Sequence, residues 1–381
     1  MGNTLREIAE QLQASPKKVQ LIYAFNGTGK TRLSKEFKKL IAATTDESEE
    51  EEALTKIIYY NAFTEDLFYW DNDEVKLIIK PNSFTQWILK EQGQDGNIIT
   101  NFQQVSGSKI TPKFNEENII LANGSKSENK RFSNVEFLYS DDGGINSIKI
   151  SKGEESNFIW SVFYILLEEV ISELSKPELE YDNTNPFHNL EYVFIDDPVS
   201  SLDENHLIEL AVNLSKLIKS STSDVKFILS THNPLFYNVL YNELGLKSKK
   251  GSYMLIKNGD GSFELDEKHG DSNTSFSYHL FLRDTIKKAI ENNEISKYHF
   301  VLLRNLYEKT ANFLGYSKWS ELLPEDGREA YVSRIMTFYS HSSLSSEQIA
   351  EPTEPEKQTV KLLFNYLINE SKYWKEVENN D

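Results

Sequence analysis

The stretch Leu21-Ile22-Tyr23-Ala24-Phe25-Asn26-Gly27-Thr28-Gly29-Lys30-Thr31 constrains the fold more than any other part of the chain. An apolar run with the length of a buried strand breaks into a small-residue turn. The turn then breaks into a helix carrying Lys30 and Thr31. Glycines at 27 and 29 let backbone N–H groups close around a triphosphate, which sits on the helix N-terminus and its positive dipole end. Asn26, Gly27, Thr28, Gly29, Lys30 and Thr31 are therefore candidate nucleotide-binding residues. Lys30 would reach the β- and γ-phosphates, and the Thr31 hydroxyl would hold Mg²⁺. Ala24 stands where this pattern usually opens with Gly; it is small enough to keep the turn but narrows its backbone freedom.

Three further features follow in a fixed order. Strand Tyr192–Ile195 ends in Asp196-Asp197-Pro198, then comes Ser200-Ser201-Leu202-Asp203, and strand Lys226–Leu229 ends in Ser230-Thr231-His232. Asp196, closing an apolar strand, can reach the Mg²⁺ shell beside Thr31. Asp197, next along, can face the attacking water as general base. Two acidic residues in a β–α turn are ordinary when they stand alone; the ordered set is not. It resembles the Walker B, D-loop and switch-histidine series of ATP-binding-cassette (ABC-type) ATPases. The resemblance implies an α/β fold, a P-loop NTPase head, with Asp203 on nucleotide and His232 in hydrolysis. Ser151-Lys152-Gly153-Glu154-Glu155 falls where that family has its signature loop. Ser151, Gly153 and Glu154 are thereby assigned to nucleotide held by another subunit, which implies a head-to-tail homodimer or higher homo-oligomer.

This sequence departs from the cassette pattern in three places. Asp197 is one methylene shorter than the usual Glu, which points to slow hydrolysis. Asn61 and Glu65 both stand near the place of the family's glutamine, and the sequence does not choose between them. No aromatic residue precedes Tyr23 to stack on adenine, so the base is open.

Composition narrows the class further. The 381 residues suffice for two domains, 39% hydrophobic content supports a core, and the absence of cysteine excludes disulfides and cysteine-ligated metals. That suits a cytoplasmic protein, and no apolar run approaches the roughly 20 residues of a membrane span. A net charge of −18 argues against broad nucleic-acid binding, so any such substrate must meet a local patch. Only about 120 residues separate Lys30 from Ser151, without heptads, so no long coiled coil fits. The alternation of strands and helices stops near Asp266. The expected division is 1–265 for the nucleotide-binding head and 266–381 for a mainly α-helical C-terminal domain, with helices Tyr278–Glu291, Lys297–Phe313, Val332–Phe338 and Val360–Tyr373.

Arg304 and Glu308 lie four apart on one helix face, by itself an ordinary surface ion pair. His341 follows in Tyr339-Ser340-His341-Ser342-Ser343-Leu344. Periodicity finds no site there, but resemblance does. The segments Leu21–Thr31, Asn61–Asp73, Ser151–Phe163, Tyr192–Leu214, Gly270–His279, Leu302–Tyr316 and Ser340–Ser343 together resemble the bacterial anticodon nucleases over nearly the whole chain. The resemblance implies an appended nuclease domain that cuts lysine tRNA 5′ of its wobble base with an Arg, Glu and His. The matching positions are Arg304, Glu308 and His341, and Asp271 matches an anticodon-recognising Asp. It further implies GTP hydrolysis with Mg²⁺ as the activating step and dTTP as a stabilising ligand. It also implies a latent toxin silenced by a type I restriction–modification complex. The residue types suit metal-independent acid–base cleavage: Glu308 the expected base, His341 the expected acid, Arg304 stabilising charge on phosphorus. Two rival readings remain open on these residues, a non-catalytic helical docking module and a DNA-clamping repair-type ATPase.

Overall fold

The computed structural model describes residues 2–42, 56–61, 67–120, 126–141, 144–176, 185–198, 204–258, 260–268, 278–333 and 352–370. The chain forms two compact units, Met1–Ser272 and Asn273–Asp381. A division at 265/266 would cut strand Phe263–Glu267, which pairs over its whole length with Tyr253–Lys257. The boundary therefore falls after that hairpin.

The first unit is built on a six-stranded sheet. In chain order its strands are β1 (Val19–Tyr23), β2 (Ile57–Asn61), β8 (Tyr192–Asp196), β9 (Lys226–Thr231), β10 (Ser252–Lys257) and β11 (Phe263–Glu267). Across the sheet they run β11-β10-β1-β9-β8-β2, parallel except for β11. Strands of a parallel sheet covered on both faces read as continuous apolar runs, and β8 is buried at every residue. Helices α1 (Leu5–Ala14) and α2 (Lys30–Ala42) cover one face. Leu5, Ile8 and Leu12 of α1 and Leu33, Phe37 and Ile41 of α2 pack on Ile22, Phe194, Ile228 and Leu255. Thr4 caps α1 reciprocally: its hydroxyl accepts from the Glu7 N–H at 3.2 Å, and its own N–H donates to Glu7 at 2.7 Å.

A second, antiparallel sheet holds β3 (Phe68–Asp71), β4 (Lys76–Ile79), β5 (Thr111–Ile120), β6 (Lys126–Asp141) and β7 (Gly144–Ser147), ordered β3-β4-β6-β5 with β7 on β6. Helix α3 (Asp95–Ser106) lies between β4 and β5 in the chain. The long helix α4 (Lys152–Leu174) joins the two sheets. Its Phe158 ring meets Phe137, Phe114, Phe102 and Phe68 at 5.1, 5.8, 5.8 and 6.0 Å. On the same helix Trp160 and Phe163 pack on Tyr60 of β2 at 5.0 and 4.8 Å. Phe158 is fully buried, so truncation to Ala would cost about 3–5 kcal/mol and loosen α4 from the second sheet. Helices α5 (Glu204–Ser220) and α6 (Pro234–Glu243) follow β8 and β9.

The second unit is helical over its described residues: α7 (Tyr278–Glu291), α8 (Lys297–Leu314) and α9 (Glu354–Asn365), the last continuing as Tyr366–Glu370. Its core joins Leu282 and Ile286, Phe300, Leu303 and Leu306, and Leu363 and Phe364. Helix α9 starts six residues before the expected Val360, where the Thr353 N–H donates to Glu356 at 2.6 Å. Of the expected helix Val332–Phe338, residues 334–338 lie outside the described ones. No described helix is long and apolar enough to cross a membrane.

Candidate functional site

The C-terminal ends of four parallel strands meet where β1 gives way to α2. Strand register fixes who stands beside whom: Tyr23 beside Thr231, Asp196 beside Ser230, and Asn61 beside Asp196. This edge of an open α/β sheet is where such folds bind their ligands. The loop leaving β1 is tied to β9 by the Ala24 N–H, which donates to Thr231 O at 3.0 Å. It then turns through two positive-φ glycines, Gly27 at 80° and Gly29 at 106°. A Cβ on Gly29 would also stand 3.4 Å from the Phe263 ring.

Lys30 opens α2 and folds back over this loop. Its ammonium lies 3.1 Å from Ala24 O, 3.4 Å from Phe25 O and 3.4 Å from Asn26 Oδ1. It pairs with Asp197 at 3.6 Å and is nearly buried. Burial lowers the Lys30 pKa, and Asp197 and Asp196 offset part of that fall. Asn26, Gly27, Thr28, Gly29, Lys30 and Thr31 thus form one continuous turn and helix start, with oxygens of Ala24, Phe25 and Asn26 accepting from the Lys30 ammonium.

Asp196 is 1% exposed. Ser230 donates to its Oδ1 at 2.6 Å, and Ser34, one helical turn after Lys30, donates to Oδ2 at 3.3 Å. Burial raises the Asp196 pKa despite hydrogen bonds from Ser230 and Thr31. Thr31 and Asp196 together supply the hydroxyl and carboxylate oxygens that a hard cation takes, so the donor set fits Mg²⁺. Bound there with a nucleotide, the ion would neutralise phosphate charge and relieve the buried carboxylate.

Asp197 has a left-handed backbone, φ 53°, which Asp tolerates better than most residues. Its Oδ1 accepts from Thr231 Oγ1 at 3.2 Å and from the His232 N–H at 3.4 Å; its Oδ2 meets His232 Nδ1 at 2.5 Å. Burial pushes its pKa up, but His232, through hydrogen bonds and charge, outweighs it together with Lys30, and the net shift is downward. The group is held as a carboxylate next to the phosphate cradle. Asn61 closes the arrangement: its amide donates to the Tyr59 hydroxyl at 3.0 Å, and that hydroxyl meets Ser34 at 2.9 Å. Of the two glutamine-loop alternatives, Asn61 stands beside Asp196, while Glu65 lies outside the described residues. Ser34, Tyr59 and Ser230 were not picked out by sequence. Only the spacing of Ser34 from Lys30, one helical turn, could have flagged any of them.

Ser151 caps α4, accepting from the Glu154 N–H at 3.2 Å while its own N–H donates to Glu154 at 2.8 Å. Ser151 is exposed, and Gly153 and Glu154 sit in the first turn of the same helix. Asp203 lies outside the described residues.

In the second unit the Arg304 Nε donates to Glu308 Oε1 at 2.7 Å along α8. Arg304 is 16% exposed and Glu308 34%, so the pair is sunk into the surface yet reachable. Trp319, which sequence reasoning passed over, lies under the guanidinium at 5.8 Å. His341 and Asp271 lie outside the described residues.

Comparison with known proteins adds the following. A family profile described as an AAA domain matches residues 128–364. The anticodon nuclease of Escherichia coli is 53% identical to this chain, and the match covers the whole of both. Among solved structures, an Smc head bound to the C-winged helix domain of ScpA matches at 11% identity and TM-score 0.35, covering 69% of this chain and 93% of that one. The Smc head domain from Thermotoga maritima matches at 13% identity and TM-score 0.29, covering 67% and 92%. At those scores the cassette-type head rests on the strand order, the loop geometry and the AAA-domain match. The chain pairs an α/β P-loop NTPase head with an appended, mainly helical C-terminal unit.

Proposed function

The chain belongs to the anticodon nuclease family, and from that membership we propose that it is a nucleotide-regulated endoribonuclease that cuts the anticodon loop of lysine tRNA 5′ of the wobble base. The observation that carries this reading is the 53% identity along the entire chain, coupled with an Arg304–Glu308 pair already formed in the second unit.

On this reading the first unit, Met1–Ser272, is the head and the second, Asn273–Asp381, the nuclease domain. The loop Asn26–Thr31 takes GTP or ATP, with Thr31 and Asp196 holding Mg²⁺. Asp197 receives the proton of the attacking water, and His232 anchors that carboxylate. Ser151, Gly153 and Glu154 of one protomer complete the site of another together with Asp203, in a head-to-tail homodimer or higher homo-oligomer. GTP turnover releases the nuclease, and dTTP stabilises the assembly. A type I restriction–modification complex holds it silent in the cytoplasm as an antiviral toxin.

The cut itself uses this chain's side chains. Glu308 removes the 2′-OH proton, His341 protonates the leaving 5′-oxygen, and Arg304 stabilises the negative charge that builds on phosphorus. Asp271 contacts the anticodon. An acidic chain can still hold RNA in this way, because recognition of an unpaired loop rests on splayed and stacked bases more than on a wide basic surface. The test is expression in a bacterial host followed by sequencing of tRNA fragment ends. Wild type should yield fragments ending 5′ of the wobble base of lysine tRNA, and Arg304→Ala should not. Intact lysine tRNA in cells expressing the active wild type would overturn the assignment.

A further inference from the structure

Trp319 begins the short turn Trp319–Leu322 after α8, and its ring centre lies 5.8 Å from the Arg304 guanidinium carbon. The same guanidinium gives its Nε–H to Glu308. Arg304 is therefore held from two directions, by a carboxylate through one edge and by an aromatic face.

The ring is itself anchored. Tyr307 meets it edge-on at 6.3 Å. Tyr307 is fully buried, and its hydroxyl donates to Leu363 O of α9 at 2.9 Å. The turn carrying Trp319 is closed by the Lys318 N–H, which donates to Glu321 at 2.8 Å. It is followed by buried Leu323, whose carbonyl accepts from Arg328 at 3.2 Å. A line of packed groups thus runs from the core of the second unit through Tyr307 and Trp319 to Arg304.

An arginine that stabilises charge on phosphorus has to be in place before that charge develops. The hydrogen bond to Glu308 fixes one direction, and the ring, centred 5.8 Å from the guanidinium carbon, adds a restraint from another side. A second reason is chemical. When Glu308 takes the 2′-OH proton it loses its charge, and its hold on Arg304 weakens just as phosphorus becomes more negative. The ring quadrupole does not titrate, so a cation–π contact persists through the proton transfer. We propose that Trp319 is the positioning residue for Arg304 in RNA cleavage, holding the guanidinium in place while Glu308 changes charge. The inference rests on the nuclease reading above.

The experiment uses the full chain, with GTP present and lysine tRNA as substrate. Tryptophans carrying one, two or three ring fluorines are placed at position 319 only. Fluorine drains the ring face of negative potential and barely changes its shape, so packing and folding are retained. The expected result is a stepwise fall in kcat, reaching about tenfold with the most fluorinated ring, with KM unchanged. A base-stacking role would move KM instead, and a merely structural role would move neither. Trp319→Met supplies a second arm. It should lower kcat by about 10- to 100-fold in the presence of Arg304 and add nothing to Arg304→Ala. Should Trp319→Met fail to fold, the fluorine series stands alone. A kcat independent of fluorine number, with Arg304→Ala inactive, would overturn the inference while leaving the nuclease reading intact. Full cleavage by Arg304→Ala would overturn that reading and the inference with it.

Discussion

His232 Nδ1 meets Asp197 Oδ2 at 2.5 Å, and the same carboxylate oxygen lies 3.6 Å from the Lys30 ammonium. One side chain thus touches the histidine at the end of β9 and the cation of the phosphate loop. The left-handed backbone at Asp197 accompanies the short side chain that stands where cassette ATPases usually have Glu. We expect Asp197→Asn to keep nucleotide binding and lose hydrolysis, because Asn tolerates the same φ but accepts no proton. Asp197→Glu should not raise turnover and should cost about 1 kcal/mol of stability, since a longer residue is strained at positive φ. Phosphate release and thermal melting read both. Unchanged turnover in Asp197→Asn would remove it as the base.

Lys30→Ala tests the cradle. At 100 times its Kd a nucleotide stabilises the folded protein by about 2.7 kcal/mol, visible as a rise in Tm. That rise should disappear in Lys30→Ala, and nucleotide-dependent tRNA cutting with it. The Tm without nucleotide should change little, because removing a desolvated ammonium offsets the loss of its pairing with Asp197. A wild-type nucleotide shift in the variant would take Lys30 out of the site.

Asp196 should act against stability when no nucleotide is bound. Its pKa is raised in the fold, so the unfolded chain ionises it more readily, and above the folded pKa the native state is disfavoured. Asp196→Asn should therefore raise Tm at pH 7, by about 2–4 °C for each 1 kcal/mol relieved. The gain should shrink as pH falls toward the carboxylate range, where the wild-type group is protonated in both states. Asp197 carries the opposite sign: its pKa is lowered, so its contribution is present above the ordinary carboxylate pKa and lost as pH falls through the folded value. Melting curves of the two Asn variants across pH 3–7 should diverge accordingly. A parallel pair of curves would contradict the opposed shifts.

What the sequence made legible was whatever is encoded locally. Helix α2 runs from Lys30 to Ala42 and α7 from Tyr278 to Glu291, because glycine turns and apolar spacing mark their ends within a few residues. Long-range register is not so encoded. That Asn61 stands beside Asp196 depends on β2 pairing with β8, more than a hundred residues away, and no local pattern chooses Asn61 over Glu65. Helix α3 was hidden because Gly96, Asn97 and Asn101 are weak helix formers, while Ile98 and Phe102, four apart, supply its buried side. The capping boxes at Ser151 and Thr353 explain why α4 and α9 begin before their apolar runs. Trp319 escaped because a ring under a guanidinium leaves no periodic trace. It depends on the chain turning back after Gly315, whose backbone is left-handed.

Assembly makes its own prediction. If Ser151 serves nucleotide bound to Lys30 of another protomer, Ser151→Arg and Lys30→Ala subunits each spoil a different half of the composite site. Mixed dimers should keep one site intact. Hydrolysis should then peak at intermediate mixing ratios, though each variant alone is inactive. A flat response at every ratio would contradict sharing between protomers.

The chemistry of the cut follows from where the nucleophile comes from. If Glu308 removes a proton from the 2′-OH, that oxygen attacks the adjacent phosphorus and the 5′-oxygen leaves, protonated by His341. The products must then be a 2′,3′-cyclic phosphate and a 5′-hydroxyl. Nothing in this sequence of proton transfers draws on a metal, so cutting should survive EDTA once activation by nucleotide and Mg²⁺ is bypassed. Alanine at Arg304, Glu308 or His341 should each lower the rate by about 10²–10⁴-fold. Stability should fall by at most about 1 kcal/mol in Glu308→Ala, whose side chain is a third exposed, and by more in Arg304→Ala, which also loses its contact with the Trp319 ring. The sharpest check is a substrate with 2′-deoxy at the nucleotide 5′ to the cut. It should bind and remain whole, because the only nucleophile has been removed. Cleavage of that substrate, or a 5′-phosphate on the product, would mean that water attacks instead, and Glu308 would then have to activate a water rather than the ribose.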